Sequence, residues 1–258
     1  MPLPIEIFSS PIKQMGDDGV TFATTAFLER LRQAMRARTT PRLNRSGRRL
    51  VRRFDRAFRR ARTGARRSRL AAGARAAHAQ IVDNYLSSAG SRSWISFQNI
   101  GDWGRNYLDR SSIAEYIQWG NGYDTAAYYH TFRTWSGIPL NADFTNPHGY
   151  VLRFERSRIP DAERFWSLTA YLPESITLVP NALDKYVVAS YTPGLHTNAD
   201  GSITVFMTPQ RPTRVPEANW LPVPAGPFNV MLRVYGPQGS VADGSYRPPG
   251  IRSLRLAP

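Results

Sequence analysis

Apolar positions recur along this chain at two different periods, and the change from one to the other divides it. In the first third the spacing is helical. Phe22, Ala26, Phe27, Leu31 and Met35 fall on one face, and Pro41 forbids continuation. A second helix is predicted to begin near Ser46, with Leu50, Phe54, Ala57, Phe58 and Ala61 as its stripe and Gly64 as its stop. A third carries Leu70, Ala74, Ala77, Ile81 and Tyr85 and ends within residues 87–90.

From about Ser93 the character changes. A short helix over residues 107–119 comes first; Pro and Gly then become frequent and the apolar period falls to two. Tyr150, Leu152 and Phe154 alternate. So do Phe228, Val230, Leu232 and Val234, with Asn229, Met231, Arg233 and Tyr235 turned the other way. Ile203, Val205 and Met207 form a shorter run after the turn Asn198-Ala199-Asp200-Gly201. Residues 164–172 are apolar or aromatic on both faces, which predicts a central strand covered on both sides. Short strands separated by turn signals point to a sandwich or barrel rather than a parallel α/β sheet, and no glycine-rich phosphate loop follows any of them. The expected class is α+β: an N-terminal helical, arginine-rich region over residues 1–90, then an antiparallel jelly-roll-like β sandwich over residues 91–258.

Charge changes this picture once it is located. Of the formal +15, residues 30–75 contribute +17, from 18 arginines against one acid, Asp55, so the remaining chain carries about −2. Arg48, Arg49, Arg52, Arg53, Arg56, Arg59 and Arg60 cover most of the second helix outside its stripe. A helix of this kind can lie on an anionic membrane or neutralise nucleic-acid phosphates without reading sequence. It can also meet an acidic protein partner, or dock its stripe on the β domain and leave the arginines in water. Arginine outnumbers lysine 32 to 2, an imbalance that a GC-rich genome also produces. The absence of cysteine excludes disulfides, thiolate metal sites and a cysteine nucleophile. The start, Met1-Pro2-Leu3-Pro4-Ile5-Glu6, lacks the basic and apolar regions of a secretory signal, and no apolar run approaches the ~20 residues of a membrane span. The expectation is a soluble, cytoplasmic protein.

Several strings in the second zone resemble the bacterial family called domain of unknown function 1214. They are Phe165-Trp166-Ser167-Leu168-Thr169-Ala170-Tyr171 followed by Val179-Pro180-Asn181 and Lys185-Tyr186; Thr192-Pro193-Gly194-Leu195; and the block from Asn219-Trp220-Leu221-Pro222 to Pro227-Phe228, closed by Leu232-Arg233-Val234-Tyr235-Gly236-Pro237. Upstream, Trp103-Gly104-Arg105-Asn106-Tyr107-Leu108-Asp109-Arg110 is similar to the family's aromatic-glycine-tyrosine-arginine segment. The resemblance implies a jelly-roll-like domain behind helices. It also implies a frequent companion, domain of unknown function 1254, that is not recognisable here and that a separate polypeptide could supply. The chain departs from the family pattern at Trp135-Ser136-Gly137-Ile138-Pro139-Leu140 and at Tyr171-Leu172-Pro173, where relatives tend to carry an acid.

The resemblance brings little chemistry, so the residues must supply it. Among His78, His130, His148 and His196 there is no close pair such as His-x-His, so no metal site is assigned, although ligands can converge from distant positions, and the cofactor is left unknown. His130 stands among aromatics, in a metal or catalytic role or as a hydrogen-bonded packing histidine. Ser167 sits in a strand-like run and lacks the exposed turn of a nucleophile. Arg233 lies in a strand that reads as buried, and a buried guanidinium needs a partner. Either it meets a small anionic ligand in the β cavity, with Tyr235, Tyr171, Asn181, Tyr186 and His130 near it, or it pairs internally with Glu155 or Asp184. Three readings of function follow: a binding or scaffold module with a ligand in the β cavity; an enzyme, hydrolytic or metal-dependent, with its site there; and an anionic-surface binder working through the arginine helix.

Overall fold

The computed structural model describes residues 25–36, 43–90, 93–143, 146, 148–173 and 177–254. Phe22 and Pro41, and the side chains of Ala26 and Phe27, lie outside the described residues. The chain divides into two compact units, Met1–Val82 and Asp83–Pro258.

The first unit holds α1 (Thr25–Ala34), α2 (Arg45–Arg60) and most of α3 (Gly64–Ser87). Asn44 caps α2, its side-chain oxygen accepting from the Gly47 N–H at 2.8 Å. The α2 stripe is only partly covered: Val51, Phe54 and Phe58 are half-buried, while Leu50 is 55% exposed. Gly64 does not stop this helix. The chain leaves it at Ala61, whose ψ of 62° abandons the helical region, and the Thr63 hydroxyl accepts from the Arg66 N–H at 3.4 Å at the start of α3, which Gly64 opens.

Among the described residues the second unit contains the last turn of α3, α4 (Tyr107–Tyr116), a one-turn α5 (Gly239–Ala242) and eight strands. Residues 117–119 do not extend α4, because Gln118 takes a φ of 66°. Strands β1 (Ala126–Thr131), β7 (Asn229–Pro237), β3 (Ala162–Tyr171) and β4 (Val187–Ala189) form one sheet in that order. The second sheet runs β6 (Trp220–Pro222), β5 (Ile203–Thr208), β2 (Tyr150–Phe154), β8 (Arg252–Ser253). Pairing is antiparallel except between β5 and β6. That exception is permitted by the residues 209–219 between them, long enough to return the chain to the starting edge.

The predicted alternation places the core. Tyr150, Leu152 and Phe154 turn inward from β2, and Val230, Leu232 and Val234 from β7. The two sheets meet there, with the Phe154 and Trp166 rings 5.1 Å apart. Each such buried side chain contributes roughly 1.5–3 kcal/mol. The cavity expected between the sheets is instead filled: Leu152, Phe154, Leu168, Val205, Met207, Leu221 and Leu232 are fully buried in one continuous apolar core. The architecture is a packed sandwich, with no closed barrel among the described residues.

Candidate functional site

Because the inner face of the β1-β7-β3-β4 sheet is apolar, its polar residues are forced to the other side, and pairing register aligns them in rows. Tyr128, Arg233, Ser167 and Ala189 stand abreast on β1, β7, β3 and β4. His130, Met231, Thr169 and Val187 form the next row, and Asn229 faces Tyr171 beyond it. At the other end Ala126, Tyr235 and Phe165 are abreast. Arg233 is therefore not directed into the sandwich. It lies on the outer face.

Half of this face is roofed. Tyr85 from the last turn of α3, Ile95, Phe97 and Ile100 from the following segment, and Ile113 of α4 pack against Ala126, Tyr128 and Met231. Tyr85 stacks on Tyr116 with centroids 3.9 Å apart and on Phe97 at 5.7 Å. Beneath this roof runs a buried polar chain. The Tyr85 hydroxyl is 2.7 Å from His130 Nδ1, and His130 Nε2 is 2.7 Å from Asn229 Oδ1. With Oδ1 as acceptor, Nε2 carries the proton and Nδ1 receives the tyrosine's. Burial pushes the Tyr85 hydroxyl well up, which keeps it a donor. His130, 1% exposed and held at both nitrogens, has the arrangement of a hydrogen-bonded packing histidine. The Asn229 Nδ2 group is buried with no hydrogen-bond partner.

The other half of the face is partly exposed, with Tyr171 and Tyr235 packed against the edge of the roof cluster. Arg233 is half-buried; its Nη2 donates to the Tyr171 hydroxyl at 2.8 Å, and its guanidinium carbon stands 5.5 Å from the Tyr171 ring centroid. Tyr235 and Phe165 lie 4.5 Å apart, and Tyr191, 59% exposed, meets the Phe165 ring edge-on at 5.0 Å. Burial raises the Tyr235 hydroxyl, with Arg233 pulling the other way. The result is a guanidinium set among aromatic faces on a rigid sheet.

The internal ion pair expected for Arg233 is not formed among the described residues. Glu155 reaches Arg158 at 4.0 Å, and Asp184 accepts from the Tyr186 hydroxyl at 2.8 Å. Of the six residues proposed from sequence for a ligand site, Arg233, Tyr235, Tyr171 and His130 share this face. Asn181 and Tyr186 are used elsewhere. The Asn181 side chain folds its own turn, accepting from Leu183 and Lys185 N–H groups and donating to the Val179 and Lys185 carbonyls. Phe165, Tyr191 and Tyr85 were not proposed from the sequence as site residues. The period-two register of β3 could have placed Phe165, but Tyr191 lies beyond β4 and Tyr85 ends a helix.

The first unit has a separate charged feature. Asp55, nearly buried on α2, accepts from Arg32 Nε and Arg36 Nη2 at 2.6 Å each, from Arg59 Nε at 2.7 Å, and from Arg59 Nη2. Hydrogen bonds from Arg32 and Arg59 hold its carboxyl down at about 2. A cleft of about 740 Å3 opens beside it, into which Arg52, Arg56, Arg59 and Arg60 project; Arg48, Arg49 and Arg53 are exposed on the rest of α2. Among the described residues no cluster of three or more His, Asp or Glu could hold a metal ion, and no helix is long and apolar enough to cross a membrane.

Residues 125–239 match the family model described as Protein of unknown function (DUF1214). No curated protein matches the chain. Among solved structures, the VPA0106 protein from Vibrio parahaemolyticus is similar over 92% of this chain and 52% of its own, at 19% identity and a TM-score of 0.52. An uncharacterized protein from Burkholderia cenocepacia is matched over 53% of this chain and 31% of its own, at 22% identity and a TM-score of 0.34. The chain thus spans about half the length of the Vibrio protein, and that likeness is one of fold.

Proposed function

With residues 125–239 matching the family model of domain of unknown function 1214, we propose that this chain is a binding module whose ligand is a small, ring-bearing carboxylate held on the partly exposed outer face of the β1-β7-β3-β4 sheet. The observation that carries the reading is Arg233, a half-buried guanidinium with one hydrogen bond to Tyr171 and no carboxylate among the described residues. A guanidinium offers five N–H donors in a planar fork that matches a carboxylate bidentately. Partial desolvation strengthens such a contact and makes an unanswered one costly. The rings of Tyr171, Tyr235, Phe165 and Tyr191 offer faces and edges at the spacing that flat ligands use. The family model assigns no activity, and the readings as an enzyme or a scaffold draw no specific support from this geometry.

Benzoate is the probe. Isothermal titration should show binding that Arg233→Gln weakens by at least tenfold, a difference of about 1.4 kcal/mol. Tyr171→Phe should weaken it less, since that ring and the guanidinium both remain. Absence of benzoate binding, or equal affinity in Arg233→Gln, removes the proposal.

A further inference from the structure

The first unit presents a second, independent surface. Eight arginines and one aspartate line its cleft. Three of the arginines, Arg32, Arg36 and Arg59, are fixed by Asp55 and form a rigid floor. Arg52, Arg56 and Arg60 follow one another along α2 at a spacing of four residues, so they stack on one side of the helix. All three are exposed. Like charges at that spacing repel and weaken an isolated helix. A ligand that supplies anions at regular intervals relieves that repulsion.

The spacing of charge says what kind of anion. Helix α2 has 16 residues and is therefore roughly 24 Å long. On the cleft side Arg52, Arg56 and Arg60 recur every four residues, so their charges repeat about every 6 Å along it. A nucleic-acid strand carries one phosphate per nucleotide in a regular row, and an unpaired strand is free to stretch beyond the roughly 3.4 Å rise of a duplex. The side chains are guanidiniums, whose fork matches phosphate oxygens in pairs. Membrane binding would call for an apolar face beside the charges, whereas the exposed large apolar side chains of this unit among the described residues are Leu31, at 37%, and Leu50, at 55%. They lie on different helices and make no face.

We propose that the α1–α2 arginine cleft binds the phosphodiester backbone of single-stranded nucleic acid, without reading its sequence. Five of the lining arginines, Arg52, Arg56, Arg60, Arg62 and Arg66, stand apart from the Asp55 cluster. Neutralising five phosphates gives a slope of log affinity against log salt of about −3.5 for a single strand.

Fluorescence anisotropy of the full chain with labelled oligo(dT) tests this. The triple variant Arg52→Gln, Arg56→Gln, Arg60→Gln should bind at least tenfold more weakly and flatten the slope by about 2, with the far-ultraviolet circular dichroism unchanged. The triple lysine variant keeps the charges, and should keep the slope while losing a smaller part of the affinity. Oligo(dT) should displace the labelled strand, and polyglutamate of equal charge should not. The proposal is overturned by a slope near zero, by unchanged affinity in a folded glutamine variant, or by equal competition from polyglutamate. Stronger capture by phosphatidylserine vesicles that oligo(dT) fails to reverse would overturn it in favour of a membrane. Should the glutamine variant lose its helical signal, the salt slope and the polyglutamate competition of the unaltered chain still decide.

Discussion

His130 on β1 and Asn229 on β7 are joined at 2.7 Å by a hydrogen bond buried beneath the roof of the outer sheet face. Tyr85 closes the other end of the imidazole at the same distance, so one side chain ties the last turn of α3 to two strands. Replacing His130 by Phe strands two buried polar groups, each costing about 1–3 kcal/mol. Urea denaturation should show a loss of about 2–4 kcal/mol with an unchanged m-value. Tyr85→Phe should cost about 1–2 kcal/mol. The double variant should fall short of the sum, because the two share one bond. Strict additivity would show that the bond contributes nothing.

Acid should loosen the first unit through Asp55. Its folded pKa, about 2, lies below the ordinary 3.8, so the native state binds fewer protons than the unfolded chain in that interval. The contribution is complete above pH 3.8 and is lost as the pH falls toward about 2. Circular dichroism at 222 nm, a wavelength dominated by helix, should fall across this interval. In Asp55→Asn the acid-dependent part should disappear, at the expense of lower helicity at neutral pH.

Alkali should act on the second unit with the opposite sign. Burial raises the hydroxyls of Tyr85 and Tyr129, and it raises that of Tyr116 to about 12. A raised folded pKa gives stability that is full below 10.0 and declines as the pH rises from there through about 12. Tyrosinate absorbance should therefore rise in two stages. The later stage belongs to the buried set, Tyr85, Tyr116 and Tyr129, and should come together with unfolding. A single early step would contradict the burial described here.

Gly149, which leads into β2, should resist substitution. Its φ is +72°, and a Cβ there would collide with the Met207 carbonyl on β5. Gly149→Ala should cost at least about 1–2 kcal/mol from backbone conformation alone. That corresponds to roughly 2–8 °C in melting temperature for a unit of this size. Gly137→Ala is the control: it also has positive φ, 85°, but nothing lies within 4 Å of the added methyl. It should lose less.

What could be read in advance follows from how each element is covered. Strands β2, β5 and β7 bury one face fully, so their residues alternate and the sequence shows them. β1 is buried on both faces, and Ala126-Ala127-Tyr128-Tyr129-His130-Thr131 carries no alternation to recognise. β4, β6 and β8 are two or three residues long, too short for a period to register. The polar face of β7 was legible, and with it Arg233 and Tyr235. That this face points away from the sandwich interior was not, because alternation separates two sides without saying which one meets another sheet. The role of Asp55 was equally hidden. Its link to Arg59 is four residues long, but its links to Arg32 and Arg36 reach back to α1 and to the turn that follows it.

The position of β7 governs how this unit can form on a growing chain. It lies between β1 and β3, pairing Tyr128 with Arg233 and Ser167 with Arg233, yet Arg233 follows Tyr128 and Ser167 by more than 60 residues in the sequence. Until it emerges from the ribosome, β1 and β3 have no neighbour for these edges, and the aromatic runs Tyr128-Tyr129 and Phe165-Trp166 stay open to other chains. Such non-local pairing makes folding slow relative to helical proteins of similar size. The nascent chain therefore depends on being shielded during synthesis, and its yield should track chaperone supply more closely than its final stability.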